Sequence, residues 1–113
     1  MTTTTGSCLC NACTYSYTGE PTLKAFSVTK GSPKSFSTTH ESGMTLTVFF
    51  CPNCGSTLWK EATGENFKGL KVVQAGTLAD ASKLNEGVDV EFYTSTRAPW
   101  LMPQKDVAQR TEF

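Results

Sequence analysis

Two closely spaced cysteine pairs, Cys8-Leu9-Cys10 near the start and Cys51-Pro52-Asn53-Cys54 near the middle, constrain this chain more than any other feature. Thiolates two or three residues apart converge on one ion with little loop strain, and a tetrahedral zinc site holds each sulfur about 2.3 Å from the metal. Cys8, Cys10, Cys51 and Cys54 are therefore the expected ligands of one structural Zn2+, and the stretch between the pairs must fold back on itself. Around the second pair, Pro52 fixes a backbone dihedral, and Gly55 can take the positive φ that turns amides toward the sulfurs. Asn11, just after the first pair, can adopt a left-handed conformation at modest cost. The Phe49-Phe50 lead-in and the Leu58-Trp59 exit read as the strands of a hairpin with the metal at its tip. The competing reading of Cys51 and Cys54 is a redox dithiol, but that motif opens a helix after a buried strand, and these flanks alternate like a hairpin.

Composition narrows the rest. A chain of 113 residues has room for one ordinary domain, with expected boundaries of a flexible lead at 1–5, a single zinc domain at 6–103 and a tail at 104–113. Ten basic and ten acidic residues are scattered without runs, so no electrostatic footprint for nucleic acid or an anionic membrane exists. Met1 to Thr5 has no apolar core of a signal sequence, and no stretch approaches the roughly 20 apolar residues of a membrane span. A soluble, cytoplasmic protein is expected. Five cysteines in such a compartment point to metal binding rather than to disulfides, and four ligands plus one free thiol account for all of them.

Alternation outweighs helical periodicity. Cys13 to Tyr17 and Thr45 to Phe50 place apolar and hydroxyl side chains on opposite faces, as half-buried strands do. Further strands are expected at Ala25 to Val28, Ser35 to Thr38, Thr57 to Lys60, Leu70 to Ala75 and Val88 to Tyr93, with turns at Gly19-Glu20-Pro21, Lys30 to Pro33 and Thr63 to Asn66. Leu78 to Leu84 has room for a helical turn or two. The fold class is mainly β, a small antiparallel sheet domain stapled by four cysteines.

With the metal pairs placed, an ordered set of motifs emerges: Gly6-Ser7-Cys8-Leu9-Cys10, Thr18-Gly19-Glu20-Pro21, Thr29-Lys30-Gly31, Cys51 to Leu58, Ala75-Gly76-Thr77-Leu78 and Arg97-Ala98-Pro99-Trp100. The series resembles the glutathione-dependent formaldehyde-activating enzyme family, also called the CENP-V/GFA domain, over nearly the whole chain. The resemblance implies a β-tent fold built around zinc and a carbon–sulfur lyase chemistry on glutathione adducts such as S-hydroxymethylglutathione. It also implies that Cys8, Cys10, Cys51 and Cys54 match the family's structural zinc ligands. One departure stands out: family members carry a CxCxxC cluster for a catalytic zinc after the Gly-Glu-Pro turn, whereas here Thr22-Leu23-Lys24-Ala25-Phe26 runs straight on. The catalytic residues are accordingly unassigned, and a catalytically inactive module that binds a ligand or protein is the alternative function.

Other residues offer no replacement for that cluster. Cys13 shares a strand face with Tyr15 and Tyr17, which suits a buried inert thiol. His40, the only histidine, lies in a polar loop where a solvated turn residue is expected. Trp100 reads as a packing plug at one end of the sheet, and Arg97 as the partner of a nearby acid. Loss of the central segment leaves Phe26, Phe36, Phe49 and Trp59 to line an open groove or a dimer interface. Expected partners are a glutathione conjugate or another small electrophile, and a second copy of the chain.

Overall fold

A computed structural model describes residues 2–113, which form two compact units, one running up to Lys83 and the other from Leu84 to Phe113. The first unit holds two antiparallel sheets. Strands β1 (Thr3–Ser7), β2 (Thr14–Thr18) and β3 (Phe26–Lys30) pair in that order, and β4 (Lys34–Thr39), β5 (Thr45–Phe50), β6 (Thr57–Ala62) and β7 (Val72–Val73) form the second sheet. The fold class is the expected one, mainly β with small antiparallel sheets. Among the described residues no helix is long and apolar enough to cross a membrane.

Strand β2 shows the alternation its sequence carries: Tyr15 and Tyr17 are buried while Thr14, Ser16 and Thr18 are partly exposed. Strand β1 corrects the expectation of a loose lead. It pairs with β2 in register Thr4 to Tyr17 and Gly6 to Tyr15, and its period-2 burial falls on Thr4 and Gly6, which an apolar pattern does not reveal. Gly6 is required there, because a Cβ would lie 2.2 Å from the Tyr15 ring. Strand β5 is less regular than expected, partly exposed along its length from Leu46 to Phe50, and β4 is exposed at every position.

The core lies between the sheets. Tyr15 and Phe26 stack at 5.1 Å, Phe26 meets Trp59 at 4.8 Å, and Trp59 stacks on Phe49 at 4.7 Å. The expected groove is therefore not formed: Phe26 and Trp59 are buried, whereas Phe36 is 64% exposed. Phe36 pairs with Val48, and Phe49 with Trp59, so neighbouring rows of the second sheet point to opposite faces and separate Phe36 from the core.

The second unit contains a 3-10 turn at Thr94–Thr96 and a short parallel pair, β8 (Val90–Glu91) with β9 (Ala108–Gln109). Residues 104–113 are thus not the frayed tail their polarity suggests. The Arg110 N–H donates to the Glu91 carbonyl at 2.9 Å, and Phe113 packs edge-on against Tyr93 at 4.9 Å. Arg97 pairs with Glu91 at 3.3 Å as expected, and Trp100 is 79% exposed.

Candidate metal centre

Both cysteine pairs sit at hairpin tips, one from each sheet of the first unit. The β1–β2 turn carries Cys8 and Cys10. Its closure uses Asn11 at φ 63, a Cys8 N–H bond to the Cys13 carbonyl at 3.0 Å and an Asn11 N–H bond to the Cys8 carbonyl at 3.2 Å. The β5–β6 turn carries Cys51 and Cys54. Gly55, at φ 77, donates its N–H to the Cys51 carbonyl at 2.8 Å, so the expected left-handed positions are both present.

The two tips meet. The ligand sulfurs of Cys8, Cys10, Cys51 and Cys54 all lie within 4.8 Å of one another, with Cys8 and Cys10 sulfurs 3.6 Å apart and Cys10 and Cys51 sulfurs 3.8 Å apart. A tetrahedron of sulfurs about 2.3 Å from a central ion has edges of about 3.8 Å, so the spacing fits a tetrathiolate ion. Cys8 and Cys51 are buried, Cys54 is half-buried and Cys10 faces solvent.

Hydrogen-bond donors converge on every sulfur. Cys8 Sγ accepts the Cys13 N–H at 3.3 Å, and Cys51 Sγ accepts the N–H groups of Asn53 and Cys54 at 3.4 and 3.5 Å. Side chains serve the outer pair: Asn53 Nδ2 donates to Cys10 Sγ at 3.3 Å, and the Ser56 hydroxyl lies 3.2 Å from Cys54 Sγ. The Ser56 hydroxyl, followed by the N–H groups of Ser56 and Cys10, holds the Cys54 thiol down at about 5, favouring the thiolate that binds a metal. Burial has the opposite effect on Cys13, 2% exposed, whose thiol is pushed up to about 11 with the adjacent Cys51 sulfur adding to the rise. Cys13 is thus a buried neutral thiol beside the cluster, outside the ligand set.

The sequence model of the glutathione-dependent formaldehyde-activating enzyme family matches residues 22–96. The chain belongs to that family. No curated protein matches it. The matched span contains Cys51 and Cys54, while Cys8 and Cys10 precede it and join the centre through the fold. In this family member, the segment from Thr22 to Phe26 forms a tight turn, with Leu23 N–H bonded to the Gly69 carbonyl and Phe26 N–H to the Thr22 carbonyl, both at 3.1 Å. Among the described residues, the four cysteines are the group of acidic, histidine or cysteine side chains whose ligand atoms converge.

A second polar cluster escaped the sequence reading. Lys71 Nζ lies 3.1 Å from Glu61 Oε2 and within 4.8 Å of the Trp59 ring centroid, 4.9 Å of Phe26 and 5.7 Å of Phe49. Trp59 Nε1–H donates to the same Glu61 oxygen at 3.0 Å. The available signal was local: Trp59 and Glu61 are two apart on one strand and share a face. A cleft of about 420 Å³ opens beside Glu61, lined also by Thr45, Thr47 and Lys68, and one of about 440 Å³ opens beside Lys71, lined also by Tyr17 and Phe67. His40 lies in the β4–β5 turn, at the other end of β5 from the Cys51–Cys54 turn, where its Nδ1 accepts the Ser42 N–H at 3.1 Å; it is not part of the converging ligand set.

Proposed function

We propose that this protein is a zinc-stabilised member of its family that acts on a glutathione adduct of a small electrophile, with S-hydroxymethylglutathione as the type ligand and a carbon–sulfur lyase type of reaction. The family match over residues 22–96 carries this reading. Support for zinc comes from the donor set, since four thiolates at tetrahedral spacing suit this ion above hard cations. In that reading Cys8, Cys10, Cys51 and Cys54 fill every position around the ion, so the metal supplies cohesion, with no vacant position for a substrate oxygen.

The lyase step breaks the carbon–sulfur bond of the thiohemiacetal. The hydroxyl proton leaves as the carbonyl of formaldehyde forms, the bond electrons pass to sulfur, and glutathione departs as thiolate or, after taking a proton, as thiol. The two clefts beside the Lys71–Glu61 pair are the proposed ligand region. Glu61, Lys68 and Lys71 offer there both signs of charge to a tripeptide that carries two carboxylates and an ammonium group.

Exchange-resolved proton NMR of formaldehyde with glutathione, recorded with and without the zinc-loaded protein, tests the proposal. Faster exchange between free glutathione and its adduct than occurs spontaneously is expected. Protein resonances that respond to glutathione and adduct without faster exchange would move the assignment to a non-catalytic binding module. No response of either kind would overturn the glutathione reading.

A further inference from the structure

Two side chains of the Cys51–Ser56 turn cross to the other cysteine pair. Ser56 Oγ accepts the Leu9 N–H at 3.2 Å, a contact across 47 positions of sequence, while its hydroxyl lies 3.2 Å from the sulfur of Cys54. Asn53 sends its side-chain N–H to Cys10 Sγ at 3.3 Å and its backbone N–H to Cys51 Sγ at 3.4 Å. Each residue therefore contacts both hairpin tips. The two innermost sulfurs, Cys8 and Cys51, take backbone donors that almost any sequence provides. The outer sulfurs, Cys10 and Cys54, add side-chain donors that depend on the residues chosen at positions 53 and 56.

We infer that Asn53 and Ser56 are positioning residues of the metal centre, latching one hairpin tip to the other and donating to the two outer thiolates. The inference rests on the reading of the cluster as a zinc site. A hydroxyl that accepts from one turn and donates to a thiolate of the other fixes the gap the ion must span. It also draws negative charge from the sulfur. Outer-shell donors of this kind are worth about 10- to 100-fold in metal affinity. Neither side chain is a ligand, and Asn53 is exposed, so truncation leaves the buried packing intact.

The test compares the full chain with Ser56→Ala, Asn53→Ala, the double variant and Ser56→Thr, which restores a hydroxyl. Zinc affinity is measured by competition with a chromophoric chelator, and cobalt-loaded samples report the sulfur-to-metal charge-transfer bands. The single alanine variants are expected to lose about tenfold in zinc affinity. Their charge-transfer bands should move to longer wavelength, because a thiolate without its donor gives up charge more readily, and Ser56→Thr should recover both properties. Alanine variants that match the wild type in affinity and band position would overturn the inference while leaving the zinc site standing. A wild-type chain without tetrathiolate cobalt bands would instead overturn the zinc reading itself. Matching circular dichroism of the loaded proteins separates these outcomes from misfolding.

Discussion

Lys71 shows how one side chain can close an aromatic core. Its side chain is 15% exposed, and its ammonium lies over three rings and pairs with a Glu61 carboxylate that also accepts the Trp59 indole N–H. Cation–π contacts at partly buried sites contribute about 0.5–2 kcal/mol, and a carboxylate left unpaired in such a place costs more than its partner's attraction alone suggests. Lys71→Met should therefore destabilise the first unit by about 2 kcal/mol, discounted for the partial exposure of Glu61, as read by denaturant unfolding. Lys71→Met with Glu61→Gln should recover part of that loss, since the amide oxygen still serves Trp59 without a stranded charge. An additive double variant would show that the pair is not coupled. The metal ligands were legible because cysteine spacing carries its own geometry, and Asn11 and Gly55 because few residues tolerate a left-handed backbone. Lys71 was not, because a lysine in a loop looks the same whether it points to water or lies across a ring.

The second unit lets its short strands be tested by acid. Glu91 accepts hydrogen bonds from the Gln109 side chain and, at 3.1 Å, from the Gln104 N–H, with Arg97 beside it. The Gln109 amide, then the Gln104 N–H, and then the charge of Arg97 hold its carboxyl below the usual range. A depressed carboxyl contributes stability that is present above the unfolded-state value and is lost as the pH falls through the folded one. Amide protection of Ala108 and Arg110, both bonded to backbone carbonyls of β8 and its approach, should thus decline below about pH 4. In Glu91→Gln protection should already be lower at neutral pH and should no longer depend on pH in that window. Unchanged pH dependence in this variant would remove Glu91 as the anchor. These strands also show where legibility ends. Strand β2 announces itself through buried tyrosines, and the β5–β6 hairpin through its cysteine turn. By contrast, β1 buries a threonine and a glycine, and β9 is two residues held by side-chain amides and backbone register, so neither carries an apolar period.

At the scale of the first unit, two small sheets share an aromatic interface and a four-cysteine staple, and the question is which of them holds the sheets together. The buried apolar set is short: Tyr15, Tyr17, Phe26, Leu58 and Trp59 form its centre together with three of the cysteines, Cys8, Cys13 and Cys51. Burying such a side chain contributes about 1.5–3 kcal/mol, whereas a structural zinc in a small site contributes on the order of 10–16 kcal/mol, comparable to the whole stability of a domain. Because Cys8 and Cys51 belong to the core and to the cluster at once, loss of the ion also leaves sulfurs crowded in an apolar place. Removal of zinc by a strong chelator should therefore abolish the near-ultraviolet dichroism of Trp59 and the tyrosines, not merely lower the melting temperature, and one equivalent of zinc should restore it. Cys51→Ser should behave as the chelated protein does, since its sulfur is 0% exposed, while Cys10→Ser, at the solvent edge, should retain weakened binding. If the aromatic signal instead survived chelation with a shift of only a few degrees, the interface rather than the metal would be what unites the sheets. The cysteine cluster would then be an accessory on a fold that stands without it.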